Sequence, residues 1–275
     1  SRGLGDVYKR QIICSERVKR MNKILENFRN KLENNDCVYG IFMKTGDPMF
    51  VEAASLGGFD YVILDTEHGP VSIENQQNNI RAAEARGAVP IIRLKDSGEN
   101  TIGKALDIGA YGIQVPQINS AADAEKIVKF AKFYPYGMRG VCRFVRAADY
   151  SAMDRYEYFE NSKNILIILQ LEGVKAIENL DEILEVEGVD ILFIGPYDLS
   201  QSLGIPGQVN NPLVVEEMKK IVERASKKNK VIGTFVDTPE DLVMWRDLGV
   251  KYLSYSVDIG IFLDGCRELC DKFKK

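Results

Sequence analysis

Histidine is almost absent from this chain: His68 is the only one in 275 residues. That scarcity excludes the clusters of two or more ring nitrogens that hold zinc or copper. Long apolar runs are missing too, and none approaches the roughly 20 residues that a transmembrane helix requires. Nor is there an excess of positive charge. Asp and Glu number 40 against 36 Lys and Arg, with a net charge of −4 and a pI near 5.4. Neither nucleic acid nor an anionic membrane is therefore expected as a partner. The five cysteines form no framework: Cys14, Cys37 and Cys142 are isolated. Cys266 and Cys270 lie four apart in a helical pattern, with no further thiol or imidazole nearby to complete a zinc site. Such usage suits a reducing, cytoplasmic setting. Hydrophobic residues at 45% and charged residues at 28% exclude disorder and a fibrous class.

What is present has a rhythm. The first twenty residues stand outside it, with six basic residues against two acidic ones and no apolar periodicity. They also lack the apolar core of a signal peptide. We read residues 1–20 as a non-native extension and residues 21–275 as one domain. From Met21 the pattern of Ile24, Leu25, Phe28 and Leu32 reads as a helix. Short apolar runs then alternate with amphipathic stretches. The strand candidates are CVYGIFM from Cys37, YVILD from Tyr61, VPIIR from Val89, GIQVP from Gly112, ILIILQLE from Ile165, DILFIG from Asp190, KVIGTFV from Lys230 and KYLSYS from Lys251. Near-continuous apolar runs mark strands buried on both faces, as parallel sheets require. Eight of them with helices between fit an α/β protein of the (β/α)8 TIM-barrel type. A doubly wound open sheet is the runner-up, but its usual Gly-rich turn after the first strand is absent from GIFMKTGDP. The stretch 134–163 is long for one connection and reads as an inserted loop of the kind that often carries function.

Barrel enzymes place their chemistry at the carboxyl ends of the strands. Asp65, Glu67 and His68 follow strand two, Arg93 ends strand three, Gln170 and Glu172 close strand five, and Asp198 follows strand six. Each has a bland reading: a loop histidine, a barrel-end salt bridge, a helix cap. Together on one face they read better as a single site. Two carboxylates and an amide form an oxygen-rich donor set suited to Mg²⁺ or Mn²⁺. His68 is the one side chain there whose ordinary pKa lies near neutrality, which suits a proton acceptor. Arg93 supplies positive charge where an oxyanion develops. No lysine stands at the ends of strands five or six, which argues against a Schiff base. Metal, cation and base together suggest carbon–carbon bond chemistry through an enolate.

The stretches DTEHGP, IIRLKDSGENTIGKALDIGAYGIQVPQI, YPYGMRG, LQLEG, GVDILFIGPYDLSQSLG and YLSYSVD resemble the HpcH/HpaI aldolase family, in consistent order from about Met21 onward. The resemblance implies a class II, metal-dependent pyruvate aldolase of the phosphoenolpyruvate/pyruvate barrel superfamily. Its substrates would be 4-hydroxy-2-oxo acids such as 4-hydroxy-2-oxoheptane-1,7-dioate, cleaved reversibly to pyruvate and an aldehyde. It implies His68 as proton acceptor with Asp65 supporting the same turn, and Arg93 as the transition-state cation. It further implies Asp107 as the acid that raises the histidine's basicity, although the residues alone read Asp107 as a helix-end charge. Glu172 and Asp198 would hold Mg²⁺ or Mn²⁺, with Co²⁺ as a substitute and no organic cofactor. Gln170 and the backbone of Tyr197 would hold pyruvate, beside Arg93 and Asp198. Members often form hexamers, as trimers of dimers with an exchanged C-terminal helix, so GIFLDGCRELC is a candidate for exchange; ordinary core packing explains it equally well.

Two departures stand out. Tyr136 replaces the second proline of the family's Y-P-P pattern, and Tyr197 stands where many members have alanine, which narrows the expected pocket. Arg139, Arg143 and Arg146 read as solvated loop charge or as contacts for an acidic aldehyde. The nearest alternative function is a lyase on a malyl- or citryl-type CoA thioester, which should need a basic groove for the CoA phosphates, and no such cluster stands outside the loop arginines. A non-catalytic metabolite-binding barrel is the other.

Overall fold

Each apolar run became a strand, and the strands close on themselves. The computed structural model describes residues 3–274, with side chains from Arg17 onward, so Cys14 and most of the expected 1–20 extension lie outside the described side chains. The strands are β1 (Val38–Met43), β2 (Tyr61–Asp65), β3 (Val89–Arg93), β4 (Gly112–Val115), β5 (Leu166–Leu171), β6 (Ile191–Ile194), β7 (Val231–Val236) and β8 (Tyr252–Val257). All neighbours run parallel and β8 pairs back onto β1, giving the expected closed (β/α)8 barrel. The helices are α1 (Gly3–Glu33), α2 (Pro48–Leu56), α3 (Ile73–Arg86), α4 (Glu99–Asp107), α5 (Ala121–Ala131), α6 (Arg155–Asn161), α7 (Val174–Glu178), α8 (Leu180–Leu184), α9 (Pro196–Ser202), α10 (Pro212–Ser226), α11 (Pro239–Asp247) and α12 (Asp258–Phe273). No described helix is long and apolar enough to cross a membrane.

The pleat sorts the strand residues into two cores. Val62, Leu64, Ile92, Ile167 and Leu169 pack outward under the helices. Their neighbours Ile63, Ile91, Leu166, Ile168 and Phe193 pack inward. Alternation then carries the inward set to Asp65, Arg93 and Gln170 at the strands' carboxyl ends. Register aligns them, with Asp65 opposite Arg93 and Arg93 opposite Gln114. At the other end the barrel is filled by Tyr61 and Tyr252, stacked at 4.0 Å. Phe28 meets both edge-on at 6.0 and 6.4 Å, so the helix expected from Ile24, Leu25 and Phe28 is the plug of the barrel floor. Gly40 makes room for this filling, because a Cβ there would fall 2.1 Å from the Tyr61 ring.

The insertion does not serve the site in the way its length suggests. It joins α5 to β5, so it lies at the floor, opposite the carboxyl ends of the strands. Its arginines are not turned toward the strands' carboxyl ends. Arg139 is buried, pairs with Asp107 at 2.6 Å and lies over the Phe133 ring. Arg146 is buried against Glu84 and donates to the Ile108 carbonyl. Arg143 donates to the carbonyls of Ser151 and Met153. These cations clamp the insertion to the barrel around its own small core of Phe133, Ala148, Met153 and Tyr158. The expectation of solvated charge is thereby corrected for Arg139 and Arg146, which are buried, and none of the three reaches the strand ends of its own chain.

Candidate active site

Asp65 is the hub of the strand ends. It is fully buried and takes two parallel bonds from Arg93, Nε to Oδ1 at 2.9 Å and Nη2 to Oδ2 at 2.7 Å. Lys44 Nζ, two residues beyond the inward Phe42, lies 3.3 Å from Oδ2. The backbone N–H groups of Glu67 and His68 donate to Oδ1. Burial alone would raise this carboxyl, but the Arg93 fork outweighs it, with help from Lys44, and holds the group below its usual range. Asp65 thus accepts bonds from the turn that carries His68, but it does not bond the imidazole. Gly69 completes the turn, since a Cβ there would lie 2.3 Å from the Asp65 carbonyl oxygen. The His68 side chain is 61% exposed at the mouth.

Glu67 fills the space between base and cation. One of its oxygens lies 3.2 Å from Arg93 Nη1 and 4.0 Å from His68 Nε2. That oxygen, Oε2, is buried and has no hydrogen bond. Burial pushes the Glu67 carboxyl up, Arg93 opposes this, and Asp65 and Asp198 add to the rise.

Across the barrel, Glu172 is held by a relay of amides. Gln114 donates to Gln170 at 2.5 Å, and Gln170 donates in turn to Glu172. The Gln117 N–H reaches the other carboxylate oxygen at 2.9 Å. Gln117 has a left-handed backbone (φ 59°), a conformation that costs energy for a non-glycine residue and here aims its N–H at the acid. The Gln170 amide oxygen is thus occupied, leaving one N–H for a ligand. Burial pushes the Glu172 carboxyl up to about 7, with Asp198 and Glu67 adding repulsion. Asp198 lies exposed in the first turn of α9. Its neighbour Tyr197 reaches over to donate its hydroxyl to Asp237 at 2.7 Å. A cavity of about 180 Å³ lies among these groups, lined by Phe42, Lys44, Arg93, Glu172, Tyr197 and Asp198.

The donor set fits a divalent cation. A carboxyl pushed toward neutrality chiefly by burial, with Asp198 and Glu67 adding repulsion, is relieved when a cation joins them. Among the described residues no three His, Cys, Asp or Glu side chains are close enough to form a shell alone. Two carboxylates would leave positions for water and for substrate oxygens. A larger cavity of about 720 Å³ lies at the floor, but its cations are already engaged. Arg29 pairs with Asp190 at 2.9 Å, Lys163 with Glu160 at 2.6 Å, and Lys132 donates to two backbone carbonyls.

A profile of the HpcH/HpaI aldolase/citrate lyase family matches residues 38–264. The chain belongs to this family. A 5-keto-4-deoxy-D-glucarate aldolase of Escherichia coli O6:H1 is 31% identical over 92% of this chain and 99% of its own length. A 2-keto-3-deoxy-L-rhamnonate aldolase of Escherichia coli K12 is 30% identical over 92% and 96%. The crystal structure of the citrate synthase SbnG superposes with a TM-score of 0.80 at 32% identity, covering 89% of this chain and 96% of that one. Family membership makes the pocket at the strand ends, rather than the larger floor cavity, the place to seek the chemistry.

The expected residues divide in two. His68, Arg93, Asp65, Gln170, Glu172, Tyr197 and Asp198 gather around this mouth. Asp107 does not: it ends α4 near the floor and pairs with Arg139 at 2.6 Å. The expected pairing of Asp107 with His68 is therefore absent within one chain, because a helix returning from β3 ends at the opposite side of the barrel. Residue types alone missed Lys44, Gln114 and Gln117 and gave Glu67 no role. The available signal was period two: Lys44 follows inward Phe42, and Gln114 follows inward Gly112.

Proposed function

We propose that the chain cleaves a 4-hydroxy-2-oxo acid reversibly into pyruvate and an aldehyde, as a class II aldolase, at the carboxyl ends of its strands. The observation that carries this reading is the opposition of a locked Arg93 to the oxygen donors Glu172 and Asp198 across one small cavity. Glu172 and Asp198 are the groups that would hold Mg²⁺ or Mn²⁺, and the bound ion would act as a Lewis acid toward the 2-oxo acid. Gln170 offers its remaining N–H to the pyruvate portion, beside the Tyr197 backbone. His68 accepts the proton of the 4-hydroxyl. The C3–C4 bond then breaks, the carbonyl of the aldehyde forms, and the electron pair passes into the pyruvate enolate. Arg93 faces the developing oxyanion, held in place by its fork on Asp65. Protonation at C3 completes pyruvate. Glu67 stands beside both His68 and Arg93, its Oε2 4.0 Å from His68 Nε2 and 3.2 Å from Arg93 Nη1.

His68→Ala should lower kcat for pyruvate release by about 10²–10⁴, the usual contribution of a positioned acid–base group, with the fold unchanged by circular dichroism. Coupling release to lactate dehydrogenase, with and without excess chelator, reads this directly. Full cleavage by His68→Ala would remove the base from His68, and release that survives the chelator would remove the metal.

The active assembly in this reading is a hexamer, a trimer of dimers with α12 exchanged. Ile259, Phe262, Leu263, Leu269 and Phe273 are exposed on that helix, which ordinary core packing would have buried. Asp107 would reach a histidine only from another copy. Light scattering should give six times the 30.9 kDa chain mass, and Leu263→Glu should lower it. A monomeric wild-type protein at micromolar concentration would refute the assembly.

A further inference from the structure

A polar line runs up the closed interior of the barrel, from its floor to its mouth. Tyr252, Gln114, Gln170 and Glu172 form it, and all four are buried. The Tyr252 hydroxyl donates to Gln114 Oε1 at 3.4 Å, and Gln114 Nε2 donates to Gln170 Oε1 at 2.5 Å. Gln170 Nε2 then donates to Glu172.

While Glu172 is a carboxylate, each link has only one possible sense. An ionised carboxylate accepts and cannot donate, so Gln170 must turn its N–H groups toward it. The Gln170 oxygen then faces Gln114 and requires an N–H there. The Gln114 oxygen is left facing Tyr252, whose hydroxyl supplies the hydrogen. An apolar residue at position 252 would leave that oxygen buried without a donor. Packing fixes this lower end. The Tyr252 ring stacks on Tyr61 at 4.0 Å and meets Phe28 and Phe193 edge-on at 6.4 and 6.0 Å. Gly233 leaves it room, since a Cβ there would fall 2.5 Å from the ring.

We infer that Gln114 and Tyr252 are positioning residues for the bound oxo acid: they fix the sense of the Gln170 amide, so that its remaining N–H faces the pyruvate portion. This rests on the aldolase reading above and extends it to two residues that do not line the cavity. With the line broken, Gln170 keeps a buried oxygen that lacks a donor, and the amide is free to turn. An amide oxygen turned toward the cavity repels the oxygens of an oxo acid, where an N–H would bind them. The sense of one amide is thus set from the floor.

The test is calorimetric and needs no turnover. Mn²⁺ is titrated into the wild-type protein, Gln114→Met, Tyr252→Phe and the double variant, and pyruvate is then titrated into each loaded protein. Gln114→Met should weaken pyruvate binding by about tenfold or more, the scale of one hydrogen bond to a charged group. Its Mn²⁺ affinity should stay within about threefold of wild type, because the Gln117 N–H still holds Glu172. Tyr252→Phe keeps the packed ring and should weaken pyruvate by about threefold, the scale of a neutral hydrogen bond. The double variant should bind pyruvate no more weakly than Gln114→Met, since Tyr252 acts only through Gln114. Additive losses would overturn the line as a single path. Variants that melt earlier but bind pyruvate as wild type does would overturn the inference and leave the aldolase reading standing. Wild-type protein that binds no pyruvate with Mn²⁺ present would overturn that reading and the inference with it.

Discussion

Arg93→Ala is expected to cost the protein both its activity and a large part of its stability. The stability loss comes from Asp65, which is fully buried and receives two of its bonds from this one guanidinium. Removing one partner of a buried ion pair costs about 3–5 kcal/mol, because the other charge is left without compensation. Lys44 at 3.3 Å offsets some of this, so the lower end of the range is expected. The catalytic loss is separate, about 10²–10³ in kcat for a single donor facing an oxyanion. Arg93→Lys should recover part of the stability and little of the rate, since an ammonium cannot make the parallel fork while facing Glu67 as well. Urea denaturation and pyruvate release measured on the same preparations separate the two effects. Stability equal to wild type in Arg93→Ala would mean that Asp65 is not the hub described here.

That hub also marks where sequence reading stopped. The eight strands were legible because strands buried on both faces leave apolar runs that little else in a polar chain resembles. Their spacing by amphipathic stretches left few topologies open. His68, Arg93, Glu172 and Asp198 were legible because the barrel fixes which end of each strand carries chemistry. Lys44 and Gln114 were not, since their importance depends on which way the pleat turns them. Continuous apolar runs conceal that alternation, and register alone reveals it: Arg93 opposite Gln114, Asp65 opposite Arg93. The loop arginines failed for another reason. Arg139 and Arg146 find their carboxylates 32 and 62 residues away in the chain, and no local pattern reports a pairing at that distance. Asp107 shows the reverse case. Residue types placed it at a helix end, where the structure has it, whereas the family's pairing with the histidine requires a second chain.

Glu172 should make the stability of the metal-free protein fall as pH rises. Its carboxyl stands at about 7 in the fold against an ordinary 4.5, chiefly through burial, with Asp198 and Glu67 adding repulsion. Between those two values the folded chain holds a proton that the unfolded chain has released. The group's contribution is therefore fully present below about pH 4.5 and lost as pH passes 7, a change of about 3 kcal/mol. A divalent cation reverses the preference, because it needs the carboxylate and competes with the proton for it. Thermal stabilisation by Mg²⁺ or Mn²⁺ should thus be small near pH 5.5 and large near pH 8. Glu172→Gln isolates the effect. The amide keeps the shape, has no proton to lose and is a poor ligand, so the variant should lose both this share of the pH slope and the metal stabilisation. Pyruvate release should fall with them, by roughly 10³ or more, on the scale of several kcal/mol of lost Lewis-acid assistance. Stabilisation by metal that is equal at both pH values, or that survives in Glu172→Gln, would place the cation elsewhere. The raised carboxyl would then be a cost of burial with no catalytic purpose.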